Sequence, residues 1–205
     1  DWIFCLTRTS DTGKKQEGIT FLLIPMKQEG IEVKPIITLG GSHSVNMVHL
    51  TNIKVPVENR VGEEGKGWGY AKGLLAHERT GLAGISKSLV ALDHLRLQAG
   101  SVKRGNATLL DDPAYKSKLA KLEIDLLATE FTELRSLASA ASGAEPGPES
   151  SILKLKGTEI QQRIQKLTVE AGGIYSAAWG KKPVGHSFAK GGMSGYLASR
   201  AYTIY

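Results

Sequence analysis

The spacing of the apolar residues changes once along this chain, and that change limits the fold more than any other feature. Up to about residue 64, apolar residues come in short runs bounded by turn formers; from Trp68 onward they recur at steps of three and four. Alternation suits a strand with one buried face, whereas the three-four spacing lines up one face of a helix. Ile3 to Thr7 reads as a first strand, followed by a turn at Ser10-Asp11-Thr12-Gly13-Lys14. Ile19 to Ile24 is a second run, stopped by Pro25. Ile31-Glu32-Val33-Lys34 alternates and ends at Pro35, and Val45 to Val55 is a longer strand candidate closed by Pro56. Four short strands with turn signals predict an antiparallel sheet or barrel.

In the second part, Ala71, Leu75, Glu78, Leu82, Ile85, Leu89 and Leu92 follow at alternating steps of four and three, which predicts one continuous helix face. Asp112-Pro113 is a start signal, an N-cap followed by proline at the first helical position. It leads into Tyr115, Leu119, Leu122 and Leu126, with Leu127, Phe131, Leu134 and Ala138 expected to widen the stripe. Residues 143–150, with Pro146 and Pro148, read as a loop. A third helix carries Leu153, Ile160, Ile164, Leu167 and Ala171 and ends at Gly172-Gly173; a fourth, shorter one begins near Ser194. No internal repeat is present. The expected fold is α+β and multidomain: a partial antiparallel β-domain over residues 1–66, then an antiparallel four-helix bundle over 67–205.

Composition narrows the class. The 205 residues are 41% apolar, and no apolar run approaches a membrane span. The net charge of +6 is spread along the chain without interleaved aromatics, which argues against nucleic acid as a partner. Cys5 is the only cysteine, so an internal disulfide is impossible; among apolar neighbours it reads as a buried, inert thiol. The chain opens without Met in a strand-like run and stops inside Arg200-Ala201-Tyr202-Thr203-Ile204-Tyr205, so both ends are expected to cut through structure. No signal or transit segment is seen, and a cytoplasmic setting is expected.

Glu78 stands out without any comparison, because it occupies a position on the apolar stripe between Leu75 and Leu82. A carboxylate held there loses water, which raises its pKa and makes it a stronger base. The alternative is a Glu that tilts into solvent or pairs with a cation. The histidines at 43, 49, 77, 94 and 186 show no metal-ligand spacing, and the glycines make no strand-to-helix Gly-x-Gly-x-x-Gly turn.

Taken together, several segments resemble the acyl-CoA dehydrogenase family. Gly18-Ile19-Thr20-Phe21-Leu22-Leu23-Ile24-Pro25 followed by Glu29-Gly30-Ile31 is similar to that family's β-domain hairpin. Asn52-Ile53-Lys54-Val55-Pro56-Val57-Glu58-Asn59, then Gly62-Glu63-Glu64-Gly65-Lys66-Gly67-Trp68, resembles its exit from the β-domain and is the most specific signal. His77-Glu78-Arg79 falls on the family's first C-terminal-domain helix. Gly172-Gly173 resembles the paired glycines before its last helices, and Thr203-Ile204-Tyr205 the approach to its active-site loop.

The resemblance implies a flavoenzyme of fatty acid metabolism that oxidises an acyl-CoA thioester between its α and β carbons. FAD would be the cofactor, electron-transfer flavoprotein the electron acceptor, and a homotetramer the assembly. It implies Glu78 as the base, with the residue after Tyr205 as the family's other location for it, and Arg79 as a substrate-orienting residue. It also implies Arg104 at the flavin pyrophosphate of a neighbouring subunit and Gly172 and Gly173 near its adenine end. Two departures stand against these cofactor contacts: Ala107-Thr108 replaces the family's Phe-Gly after Arg104, and Val169 replaces a Gln before the glycine pair. The resemblance also implies that an N-terminal helical domain and the flavin-ring strands precede residue 1, so the isolated chain is expected to be inactive. An acyl-CoA oxidase of the same fold and a non-catalytic helical interaction module are the alternatives.

Overall fold

Contacts divide the chain into two units, one of residues Asp1–Ile37 and His43–Glu78, the other of Thr38–Ser42 and Arg79–Tyr205. The computed structural model describes every residue except 12, 82, 144–146, 180–183 and 205, and leaves the side chains of 76, 77 and 79–81 outside the description.

In the first unit, β1 (Trp2–Arg8) pairs antiparallel with β2 (Ile19–Pro25), from Trp2 opposite Pro25 to Arg8 opposite Ile19. A two-residue strand β5 (Arg60–Val61) lies on the far edge of β2. Burial alternates along β1: Ile3, Cys5 and Thr7 are half-buried while Trp2, Phe4 and Leu6 are exposed. Cys5 is therefore less enclosed than its apolar neighbours suggest, because a single sheet covers only one of its sides. Phe4 stacks on Phe21 across the pair, with ring centroids 5.4 Å apart. The buried Thr20 hydroxyl is satisfied by Thr9 Oγ1 at 2.7 Å and by the Gly65 amide, which donates to it at 2.9 Å.

The hairpin of β3 (Ile31–Ile37) and β4 (His43–Leu50) sets Ile31 opposite Leu50, with a bulge at Ile36/Ile37. β4 stops at Leu50, short of the expected Val55. The Thr51 amide closes the hairpin on Gly30 O at 2.9 Å, and Asn52 turns into the left-handed region at φ 50°, which ends the extended run.

The second unit has its own core. The stripe expected to run unbroken from Ala71 to Leu92 is divided between α1 (Gly67–Gly81) and α2 (Ile85–Ser101), with Gly84 left-handed at φ 60° between them. A long-range contact holds the break in place. In α4 (Glu149–Gly172), Gly157 has no side chain where a Cβ would lie 2.3 Å from Ala83 O, and Gln161 Nε2 donates to that same oxygen at 3.1 Å.

α3 (Pro113–Ala141) begins as the cap signal predicts: Asp112 Oδ1 accepts from the Ala114 amide at 2.8 Å and the Tyr115 amide at 3.3 Å. It runs antiparallel to α4, with Tyr115 Oη donating to Leu167 O at 3.0 Å and Lys118 paired with Glu170 at 2.7 Å. Burial pushes the Tyr115 phenol pKa up. Leu92, Leu95, Leu119, Leu122, Leu126, Leu153, Ile160 and Ile164 form one continuous core. Leu127, Phe131 and Leu134 do not widen the buried stripe: all three are exposed, because they lie on the side of α3 away from α4. The last helix, α5 (Gly192–Ala198), starts two residues before the expected Ser194. Against it sits the Thr38–Ser42 turn, where Ser194 Oγ donates to Gly40 O and a Cβ on Gly40 would lie 2.9 Å from Ala198 Cβ.

Candidate functional site

Glu78 lies three residues from the end of α1. The first stripe residue, Ala71, is buried, but Leu75 and Glu78 are exposed, and Leu82 falls outside the described residues. The desolvation expected for this carboxylate is thus not supplied by this chain. The cause is the break at Gly84: the packed stripe continues in α2, while Leu75 and Glu78 on α1 are left uncovered. The side chain of Arg79 lies outside the described residues.

Arg104 closes a small hairpin of β6 (Lys103–Arg104) and β7 (Ala107–Thr108), turned at Gly105 with φ 63°. Its base is fixed by Leu109 N donating to Val102 O at 2.9 Å, and by Thr108, whose amide and hydroxyl donate to Asp111 Oδ2 at 2.7 and 2.9 Å. Those bonds, the amide's first, hold the Asp111 carboxyl below the usual range. The Arg104 guanidinium is exposed at the tip and makes no salt bridge with a described residue.

The two glycines after α4 have separate physical reasons to be glycine. A Cβ on Gly172 would meet Ser176 Oγ at 2.1 Å and Ala189 Cβ at 3.0 Å, so the fold itself excludes a side chain there. Gly173 is exposed, with nothing within 4 Å of a Cβ, and its φ of 55° with ψ of −140° belongs to glycine alone. Open backbone in that conformation can be approached closely by a ligand. Beneath the pair, the Ser176 hydroxyl is fully buried with no hydrogen-bond partner among the described residues.

Sequence reasoning missed a cavity of about 240 Å³ among α2, α4 and α5, lined by Lys87, Ser88, Gln161, Gln165, Ser199 and Tyr202. Its hydroxyls are partly spent on backbone, since Ser88 Oγ donates to Gly84 O at 3.0 Å and Ser199 Oγ to Tyr196 O at 2.7 Å. The available signal was Gln161 and Gln165 one turn apart beside the Ile160-Ile164 stripe. Arg200 closes the end of this region: it stacks on Tyr196 at 4.3 Å and donates to Gln162 O at 3.3 Å, while Gln162 Nε2 reaches Thr203 Oγ1 at 3.1 Å. Among the described residues no hydrogen bond or salt bridge joins Arg104 to either glycine, and none joins Glu78 to the cavity. An open glycine backbone at Gly173 and an exposed Arg104 without a salt-bridge partner among the described residues suit the pyrophosphate of a nucleotide. No helix among the described residues is long and apolar enough to cross a membrane.

The family model described as Acyl-CoA dehydrogenase, C-terminal domain, matches residues 65–205. The chain is 31% identical over 169 residues to acyl-CoA dehydrogenase FadE34 of Mycobacterium tuberculosis, covering 82% of this chain and 23% of that protein. It is 28% identical over 209 residues to acyl-CoA dehydrogenase IpdE1 of Mycolicibacterium smegmatis, covering 100% of this chain and 49% of that one. Among solved structures, the ChsE4-ChsE5 complex from Mycobacterium tuberculosis superposes with a TM-score of 0.82 at 26% identity, over 100% of this chain and 52% of that one. The chain thus spans between about a quarter and a half of the length of these relatives. With a matching family model over most of its residues and a matching fold over all of them, the chain belongs to the acyl-CoA dehydrogenase family.

Proposed function

We propose that the whole protein is a FAD-dependent acyl-CoA dehydrogenase, in which residues 1–66 close the middle β-domain and 67–205 form the C-terminal helical domain. The family match over residues 65–205 carries this reading, because that stretch includes Glu78, Arg104, Gly172 and Gly173 together. Glu78 acts as the general base. Its carboxylate takes the proton from the carbon beside the thioester carbonyl, and the electron pair of that C–H bond becomes the new double bond as hydride leaves the next carbon. FAD, when bound, would supply the acceptor for that hydride. Arg79 orients the acyl-CoA, Arg104 offers its guanidinium to a pyrophosphate, and Gly173 lets backbone approach the nucleotide, with Gly172 setting the turn. The enzyme works as a homo-oligomer and passes its electrons to electron-transfer flavoprotein.

The uncovered face of α1 suits this role: Glu78 reaches its working environment when the rest of the protein and the acyl chain close over Leu75 and exclude water. The test is Glu78→Gln in the full-length protein, which keeps size and removes the base. Flavin content is expected to stay at the wild-type level. Anaerobic flavin reduction by an acyl-CoA substrate is expected to slow by ~10²–10⁴, the usual worth of a positioned general base. Reduction at the wild-type rate would place the base elsewhere, with the residue after Tyr205 as the next candidate.

A further inference from the structure

The helix that carries Glu78 is fixed to its own unit at one end. α1 opens on Gly67 with its backbone against β2: a Cβ there would lie 2.6 Å from Phe21 N and 2.9 Å from Ile19 O. Just before it, Lys66 bridges to Ile19, and the Gly65 amide donates to Thr20 Oγ1 at 2.9 Å. Thr20 is 1% exposed, and its hydroxyl also shares a 2.7 Å hydrogen bond with Thr9 Oγ1. The segment after β1, the strand β2 and the approach to α1 therefore meet at one buried oxygen. One turn into the helix, Tyr70 closes the clamp. The Glu63 amide donates to its Oη at 3.1 Å, and a Cβ on Gly62 would lie 2.4 Å from its Cζ. Further along, the helix is bare. Ala71 is the last buried residue among those described in α1, and Lys72, Leu74, Leu75 and Glu78 are all exposed.

We propose that Thr20 is a positioning residue for Glu78, acting through the root of α1, a role that rests on the reading of Glu78 as the base. Both residues belong to the same unit. Glu78 stands eleven residues past Gly67, about 16 Å along the helix axis. Over that length a tilt of about 4° at the root moves the carboxylate by about 1 Å, and a misplacement of that size costs about 100-fold in rate. The Thr20 hydroxyl opposes the tilt. Without it the Gly65 amide loses its acceptor, and the backbone from Gly65 to Gly67 loses what holds it in place on β2. The effect is one of geometry, so it falls on the rate of proton removal and not on how tightly acyl-CoA or flavin is held.

Anaerobic flavin reduction in the full-length protein tests it with Thr20→Val, Thr20→Ser, Glu78→Gln and the double variant Thr20→Val/Glu78→Gln. Valine keeps the shape and removes the hydroxyl, whereas serine keeps the hydroxyl. Thr20→Val should retain its flavin, reach half-saturation with acyl-CoA within about twofold of wild type, and lower the limiting reduction rate by about ten- to a hundredfold. Thr20→Ser should restore that rate to within about threefold of wild type. In the Glu78→Gln background Thr20→Val should cause no further fall, since a residue that acts through the base has nothing left to position. An equal fall in both backgrounds would overturn the proposal, and so would a wild-type limiting rate in Thr20→Val or a fall that Thr20→Ser shares. If Thr20→Val does not fold, Tyr70→Phe reads the same root from its exposed side. Loss of that Oη should lower the limiting rate at least about threefold with half-saturation unchanged, and an unchanged rate would overturn the proposal. A wild-type rate in Glu78→Gln alone would remove the base assignment and this role with it. Slow reduction in Glu78→Gln beside an unaffected Thr20→Val would remove the positioning role only.

Discussion

The helical unit and the β unit use similar apolar side chains to different ends. In the helical unit Leu95, Leu122, Leu126, Leu153 and Ile160 are each no more than 1% exposed, closed in by residues of that unit alone. In the β unit only Thr20, Phe21, Ile24, Gly67 and Ala71 are buried among the described residues, while Trp2, Phe4, Val33, Ile37 and Val45 stand between 47% and 67% exposed. The difference lies in what a single element can enclose. Three helices around a stripe complete a core, whereas a hairpin or a three-stranded sheet has two faces and leaves at least one uncovered. Stability in this chain is therefore concentrated in α2, α3 and α4.

The strongest way to break that contrast is to truncate one residue on each side of it. Leu122→Ala removes a fully buried side chain and should cost about 2–5 kcal/mol in urea denaturation, whereas Val33→Ala in β3 should cost less than about 1 kcal/mol. Equal losses would mean the sheets share a common core with the helices. A smaller effect sharpens the account of how the helices lock together. Alanine in place of a mid-helix glycine ordinarily gains about 0.5–1 kcal/mol. At Gly157, however, the new methyl would lie 2.3 Å from Ala83 O, and overpacking of that kind costs about 1–3 kcal/mol. Gly157→Ala should therefore lower the melting temperature, and an increase would show that the α1–α2 turn yields freely. The smallest effect concerns Asp111. Its folded-state pKa is lowered, so its contribution is present above the unfolded pKa and lost as pH falls through the folded one. Asp111→Asn should lie below wild type in melting temperature near pH 7 and converge with it as the pH falls below the ordinary carboxylate range. A constant gap across that range would remove Asp111 as the titrating group.

Most of the helical unit was legible because its signals are local. The Asp112-Pro113 cap and the Tyr115-Leu119-Leu122-Leu126 stripe each need only neighbouring residues to be read, and both appear where expected. The break at Gly84 was not legible, since the apolar spacing runs straight through it. What divides α1 from α2 includes the missing side chain of Gly157, far along the sequence. Phe131 and its neighbours were assigned to the core for a related reason: spacing identifies a stripe but not what covers it. Glu78 shows the same limit, being on a stripe that this chain leaves open. Gly172 and Gly173 look alike as letters, and only geometry separates a glycine required by packing from one required by backbone conformation.

The short turn Thr38–Ser42 has a consequence for how the protein can be taken apart. It belongs by its contacts to the helical unit, yet both strands that lead into it belong to the β unit. The chain therefore passes from one unit to the other three times, not once. A protease that nicked the polypeptide near Glu78 would leave two pieces still laced together through Gly40 on α5 and Trp179 against Gly41. Residues 79–205 expressed alone would lack that lace, leaving Ser194 without the carbonyl it donates to and the indole of Trp179 without its cover. A clean excision of the helical unit would have to bring a five-residue loop from the other half of the gene with it.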